Sequence, residues 1–235
     1  MSTDSAAVAA AMRRHLERLK ALRGAGATRT ALDRIAAVKR WQTSRLIKTY
    51  ADLAANPRYR AATAFFVEDL YGPKDFSARD AAMLRIVPVM TRVLPAKAVE
   101  SAALSVELEA VSEDLDQRLA QALPDAVIDE SAYAAAYRGS ARLEERVHQI
   151  QLIVEVGRRL DSLVHWPFVH RTLKLMRSPA RMAGLSDLQD FLERGFEAFA
   201  AMDGADDFLA TIERRETAIL NRLFSGAAEP FSISP

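Results

Sequence analysis

Apolar side chains recur with the 3.6-residue period of an α-helix along almost the whole chain, and the alternating apolar runs typical of β-strands are missing. The clearest stripe covers residues 188–202, behind Ser186 as a predicted N-cap and before Gly204 as a stop. A second stripe over 208–224 follows after a short connection, which predicts an antiparallel hairpin of two C-terminal helices. The sequence therefore predicts an all-α fold, a bundle of about nine helices.

Proline and glycine divide the rest of the sequence into helices of different length. We predict a single all-α domain over residues 1–226, followed by a frayed tail over 227–235. The predicted parts of the domain are basic N-terminal helices over 5–55, a corner over 57–95, an acidic helix over 96–123, and central and C-terminal helices over 139–226, with a long central helix over 139–165 and a shorter one from Pro167 to about Arg177.

The chain contains no cysteine, which excludes disulfides, thiolate metal sites and thiol catalysis. No apolar run approaches the roughly 18 residues of a membrane span. The alanine-rich N-terminus also lacks the basic-before-apolar order of a signal peptide. These features predict a bacterial, cytoplasmic protein without a membrane span.

The net charge of +1 conceals two segments of opposite charge. Residues 12–60 hold thirteen basic and three acidic residues, whereas residues 100–130 hold nine acidic residues and one arginine. Two interpretations stay open: the segments pack together and neutralise each other, or the basic segment binds an acidic protein partner, an anionic ligand or lipid, or RNA. RNA has weak support, because few aromatic residues accompany the basic ones. The predicted basic face consists of Lys39, Arg40, Arg45 and Lys48.

The corner over 57–95 contains the most informative local pattern. On a helical wheel Asp69 falls between Phe65 and Phe66, so its carboxylate is predicted to lie within an apolar face. A buried carboxylate requires a partner. The predicted partners are Arg79, Arg85 and Arg92. The corner is either a structural ion pair or a ligand site, and its candidate residues are Phe65, Phe66, Glu68, Asp69, Tyr71, Arg79 and Asp80.

Residues 65–71, which read FFVEDLY, resemble the signature of the bacterial FFLEELY-motif proteins. Val67 and Asp69 stand in place of the leucine and the second glutamate of that signature. The resemblance extends over most of the chain, including Trp41 and Arg45 before the signature. That family is named for its motif and has no established function, so the resemblance implies no reaction, cofactor or site residue.

Glu145 and His148 have the Glu-x-x-His spacing found in di-iron helical bundles. A di-iron site needs a second such motif, and the sequence contains only one. The pair is therefore either a surface pair or part of a metal site for iron or manganese, with Glu68 or Asp69 as a further ligand. A second basic cluster is a solvated helix face or a phosphate site, and it consists of Arg171, Lys174, Arg177 and Arg181.

These patterns favour a non-catalytic helical binding protein for an acidic protein partner or an anionic ligand, with no cofactor. The alternatives are a metal-dependent, di-iron-like helical enzyme and an RNA- or ribosome-associated factor that uses the basic segment. The sequence does not predict the oligomeric state.

Overall fold

The computed structural model describes residues 3–24, 28–70, 77–93, 95–123 and 128–233, and every regular element in these ranges is helical. The prediction of an all-α fold is confirmed, with eleven α-helices and one π-helix in the described residues where about nine helices were expected. The elements are α1 (Thr3–Gly24), α2 (Arg29–Thr49), α3 (Ala51–Ala55), α4 (Arg60–Ala64), π1 (Phe65–Leu70), α5 (Ser77–Val93), α6 (Ala96–Ala122), α7 (Glu130–Ser140), α8 (Leu143–Val164), α9 (Pro167–Met182), α10 (Ser186–Ala200) and α11 (Asp206–Ser225).

Two long helices organise the packing. Helix α6 contacts α1, α2, α7 and α8, and α8 in turn contacts α9, α10 and α11. Helix α8 begins at Leu143, later than the predicted start at residue 139. Its first two turns are partly exposed to solvent, with Leu143 and Val147 38% and 37% exposed. The acidic helix α6 is therefore more enclosed by other helices than α8, which was the predicted central helix.

The largest apolar cluster joins the N-terminal half of the chain to its C-terminal helices. It includes Tyr50, Phe66, Phe199, Phe208 and Ile212, each less than a tenth exposed. The burial of such large side chains supplies most of the favourable free energy of folding. This cluster holds π1 against α2 and α10.

The predicted hairpin of the last two helices is wrong. Helix α10 packs on α9 and α8, while α11 packs on α8 and α7, so α8 separates most of their length. The short connection between α9 and α10 forms the hairpin instead. Ser186 is the first helical residue of α10 and not its N-cap, which is Leu185. Gly204 does not end α10, which stops at Ala200 with Ala201 as its C-cap, and the φ angle of 103° at Gly204 belongs to the connection to α11. Gly226, with a φ angle of 75°, is the C-cap of α11.

Three boundaries differ from the sequence prediction for identifiable reasons. The predicted N-terminal helices over 5–55 include a break at Tyr50 that was not expected, where Nη1 of Arg215 donates to the carbonyl oxygen of Thr49. Helix α9 continues through Pro179 to Met182. The expected tail packs on the protein as far as residue 233, because the ring of Phe231 contacts those of Trp41 and Tyr133.

Candidate functional site

The signature segment forms a π-helix directly after α4. In a π-helix each N–H donates to the carbonyl five residues earlier, so its side chains point in different directions from those of an α-helix. Phe65, Phe66 and Asp69 are all buried, and Glu68 is exposed. The sequence prediction that Asp69 is buried is therefore confirmed, although the π-helix itself was not predicted.

Asp69 forms a two-pronged ion pair with Arg194 of α10. Nε of Arg194 donates to Oδ2 at 3.2 Å, and Nη2 donates to Oδ1 at 3.0 Å. This arrangement matches the planar guanidinium to the carboxylate and is among the stronger polar contacts in proteins. The sequence analysis missed Arg194, which lies 125 residues after Asp69.

The other predicted members of the corner do not form this pair. Of the predicted partners, Arg85 and Arg92 have exposed side chains. Tyr71 and the side chains of Arg79 and Asp80 lie outside the described residues.

Helix α10 has a gap in its surface at Gly195 that receives the ring of Phe65. A Cβ atom at Gly195 would lie 2.7 Å from Cζ of Phe65, which no ordinary contact permits. Phe191, on the same helix, packs its ring 5.3 Å from that of Phe65. One face of α10 thus holds π1 through an ion pair, a ring contact and a close approach to the backbone of α10. These contacts favour a structural role for the corner.

The basic and acidic segments pack against each other. Nη2 of Arg23 lies 2.8 Å from Oε1 of Glu109, and its Nε lies 3.2 Å from Oε2 of Glu113. Nζ of Lys39 lies 2.9 Å from the same Oε2. Burial opposes ionisation of Glu113, but the neighbouring Lys39 and Arg23 hold its pKa below the ordinary value. The prediction that the two segments pack together is confirmed, and the charges paired between them include those of Arg23 and Lys39.

The predicted basic face is therefore only partly available. Lys39 is bound to Glu113, and Nη1 of Arg45 donates to Oε1 of Glu216. Arg40 and Lys48 have exposed side chains. Two of the four predicted cations are thus occupied inside the protein.

A buried polar cluster lies between α2, α6, α7 and α8, and the sequence analysis did not identify it. Gln42 donates to Asp116 at 2.9 Å and to the hydroxyl of Tyr133 at 3.3 Å. The guanidinium of Arg146, only 1% exposed, lies 4.0 Å over the ring of Tyr137. Burial raises the pKa of Asp116 above its ordinary value. A usable signal existed, because Arg146 is in helical register with the apolar stripe of α8.

An open cleft of about 730 Å³ lies beside this cluster, between α2, α3, α11 and the C-terminal segment. Its walls include Trp41, Arg45, Lys48 and Arg215. Arg215 binds both oxygens of Asp52 at 2.7 Å, and this hydrogen bonding holds the pKa of Asp52 below its ordinary value. Because both arginines of the cleft are paired with carboxylates, an anion would have to displace an existing partner.

The predicted metal ligands are engaged in ion pairs. Glu145 accepts hydrogen bonds from Arg118 at 3.1 and 3.3 Å and from the backbone N–H of Arg142 at 2.8 Å, and these contacts hold its pKa below the ordinary value. Nε2 of His148 lies 3.6 Å from Glu107. Within the described part of the chain, no three His, Asp or Glu side chains are placed to hold a metal ion. The ligand set proposed from the Glu-x-x-His spacing is not assembled there.

Helix α9 presents an unusual concentration of exposed apolar and basic side chains. We call the following residues the α9 surface: Phe168, Leu175, Met176 and Met182, together with Arg171, Lys174 and Arg181. The four apolar members are 60%, 77%, 44% and 81% exposed, respectively. The three basic members are exposed and lie beyond ion-pair distance of the described carboxylates, although the charge of Lys174 acts on Glu193 of α10. The segment from Pro167 to Met182 contains no acidic residue.

The opposite side of α9 is fixed to α10. Nε2 of Gln189 donates to the carbonyl of Leu173 at 2.7 Å, and Nε of Arg177 donates to Oε1 of Glu193 at 2.7 Å. The hydrogen bond from Arg177 lowers the pKa of Glu193 to about 2. The α9 surface therefore belongs to a helix with a defined orientation. The sequence analysis recognised its basic cluster but ended the helix at Arg177, before Met182.

The fold and these surfaces define an all-α protein whose described helices are too short or too polar to cross a membrane. The chain belongs to the family described as Domain of unknown function (DUF8198), whose model matches residues 21–230. No curated protein and no solved structure matches the chain. The resemblance to the FFLEELY-motif proteins stays a prediction.

Proposed function

We propose that this protein is a non-catalytic binding protein that docks an acidic partner surface through the α9 surface. The observation that carries the proposal is the exposure of Leu175 and Met182, at 77% and 81%, beside three basic side chains without ion-pair partners among the described residues. Large apolar residues exposed together and bordered by charge are typical of interaction sites. The basic side chains select an acidic partner.

The second candidate surface is the predicted basic face on α2, and it has less support. Lys39 and Arg45 already bind Glu113 and Glu216, so only Arg40 and Lys48 offer free charge there. Ile47, at 57% exposure, is the apolar residue nearest to Lys48 in sequence. This face makes a good internal comparison because it resembles the α9 surface in residue types.

The remaining alternatives have weaker support. A metal-dependent enzyme would have to release Glu145 from Arg118, and RNA association would have to bind a basic segment in which Arg23 is already paired with α6 and few aromatic residues are available for base stacking. Neither requirement applies to docking through α9.

Matched charge reversals test the proposal. The α9 variant carries Arg171→Glu and Arg181→Glu, and the comparison variant carries Arg40→Glu and Lys48→Glu. Tagged proteins are added to an extract of the source cells, and we measure how much of each sediments with membranes or elutes in soluble complexes. We expect the α9 variant to lose this association and the comparison variant to keep it, with both melting temperatures unchanged.

Two results would contradict the proposal. Loss of association in the comparison variant alone would assign binding to α2. If both variants associate as strongly as the wild-type protein does, the free basic side chains of α9 and α2 do not contribute to binding.

A further inference from the structure

We infer that the acidic partner of the α9 surface is the headgroup region of an anionic lipid bilayer. This inference rests on the proposed docking function and specifies its partner. Helices that lie in a membrane interface combine one exposed apolar row with basic side chains along its border. The α9 surface has this composition on a helix that is already folded.

The angular arrangement of side chains around α9 fits insertion of one face. With 100° per residue, Leu175 and Met182 fall within about 40° of Phe168, so the three form one row. Arg171 falls about 60° from Phe168, on the side of Leu175 and Met182, and therefore borders the row. Lys174 and Arg181 follow on the same side, at about 120° and about 140° from Phe168. Long basic side chains at such a border extend their charge to the phosphate groups while their methylene groups stay near the acyl chains.

The acidic residues of the neighbouring helix lie on the far side of α9. Arg177 falls about 180° from Phe168 on the same wheel. It binds Glu193, and Asp190 and Glu197 of α10 also act on its charge. These carboxylates therefore lie on the side of α9 opposite to the apolar row. In that position they do not repel an anionic surface that contacts Phe168.

A second copy of the chain is a poor occupant of the α9 surface. A two-fold symmetric dimer would place this surface against itself. The basic side chains of both copies would then meet, and the helix has no acidic residue to pair with them. A lipid interface offers many phosphate groups and requires no matching groove, which suits a single convex helix.

The length of α9 also fits a helix that lies flat. Its sixteen residues extend about 24 Å, and the helix is held along one side by Gln189 and Glu193. No described helix is long and apolar enough to span a bilayer. The expected mode is peripheral binding, with α9 parallel to the membrane plane.

Sedimentation with vesicles tests the inference. Purified protein is mixed with vesicles of phosphatidylcholine alone or of phosphatidylcholine with phosphatidylglycerol. We expect binding to the anionic vesicles only, and it should weaken as salt rises from about 50 to about 500 mM. Each basic side chain removed should lower the partition coefficient about fivefold. Leu175→Asp should lower it by at least about tenfold, because a charged side chain replaces an inserted apolar one.

Matched variants and a local probe identify the face that binds. Ile47→Asp and the pair Arg40→Glu and Lys48→Glu should bind the anionic vesicles as the wild type does. Because the chain has no cysteine, Leu175→Cys and Ile47→Cys each provide one labelling site for a polarity-sensitive fluorophore. Emission should shift to the blue on vesicle addition for the label at residue 175 and stay unchanged for the label at residue 47.

The possible failures are distinguishable. If the wild type binds no anionic vesicles, or if the Ile47 and Arg40 variants lose binding as much as the α9 variants, the lipid inference is overturned. If the α9 variants still lose soluble complexes from the extract, the docking function stands with a protein or RNA partner. Concentration-dependent dimerisation that Leu175→Asp abolishes would assign the surface to a second copy and overturn the inference.

Discussion

At the scale of single residues, the sequence analysis located a buried charge correctly and assigned its partner incorrectly. The position of Asp69 between two phenylalanines was sufficient to predict burial, because helical spacing is a local property. Arg194 comes from another helix, and its choice over Arg85 depends on how α10 packs on π1. Tertiary packing of this kind has no signature in a single sequence.

Replacement of Asp69 by Asn should reduce the free energy of unfolding by about 1–3 kcal/mol, because the buried side chain loses the charge that pairs it with the half-exposed Arg194. Urea denaturation provides the measurement. Glu68→Gln is the matched control, since its neighbouring carboxylate is exposed, and it should change the free energy by less than about 0.5 kcal/mol. Equal effects of the two variants would show that the pair with Arg194 does not stabilise the corner.

The two buried acids of α6 should respond to pH in opposite directions. Folding lowers the pKa of Glu113, so its stabilising contribution is complete above the unfolded value of about 4.3 and disappears as the pH falls through the folded value. The stability difference between wild type and Glu113→Gln should therefore shrink in acid.

Folding raises the pKa of Asp116, so the folded state prefers the protonated acid. Relative to Asp116→Asn, the wild type should gain stability as the pH falls through the raised value. Urea denaturation of the three proteins between about pH 7 and about pH 3 measures both trends. Parallel curves for the two variants would contradict the assignment of these environments.

At the scale of helices, local signals were reliable where they describe one turn of backbone. Gly226 ends α11 with a positive φ angle, and Asp129 caps α7 by accepting from the N–H of Ala132, whereas Gly204 lies four residues beyond the end of α10. The π-helix was not predictable, because its wider turn depends on the tertiary contacts of Phe65 and Phe66, which the sequence does not show. The continuation of α9 beyond Pro179 also ran against the usual effect of proline, and it is the reason why Met182 belongs to the α9 surface.

The contact between π1 and α10 can be tested at its closest point. Gly195→Ala should destabilise the protein by about 1–3 kcal/mol, because the new methyl group would overlap the ring of Phe65 and force it to move. Gly139→Ala in α7 is the control, since nothing lies within 4 Å of its Cβ position, and it should stabilise by about 0.4–1 kcal/mol. Thermal and urea unfolding measure both. A neutral Gly195→Ala variant would contradict the close packing of π1 on α10.

At the scale of the whole molecule, the distribution of charge decides which surface is available for binding. Part of the charge polarity of the sequence is satisfied inside the fold, where Arg23 and Lys39 bind Glu113, while Arg40 and Lys48 are exposed. The net charge and the charge runs therefore suggested a partner for residues that already have one. The α9 surface carries fewer charges, but its basic side chains lie beyond ion-pair distance of the described carboxylates, and Arg171 borders the row that contains exposed Leu175 and Met182.

The most direct test of the central claim is photo-crosslinking from single cysteines introduced at residue 175 and at residue 47, each carrying the same maleimide-linked photoreactive group. The labelled proteins are irradiated in an extract of the source cells, and adducts with lipid, protein and RNA are identified by mass spectrometry. The account predicts adducts from residue 175, dominated by anionic lipid, and few from residue 47. Equal adduct formation at the two positions, or adducts from residue 47 alone, would contradict docking through α9.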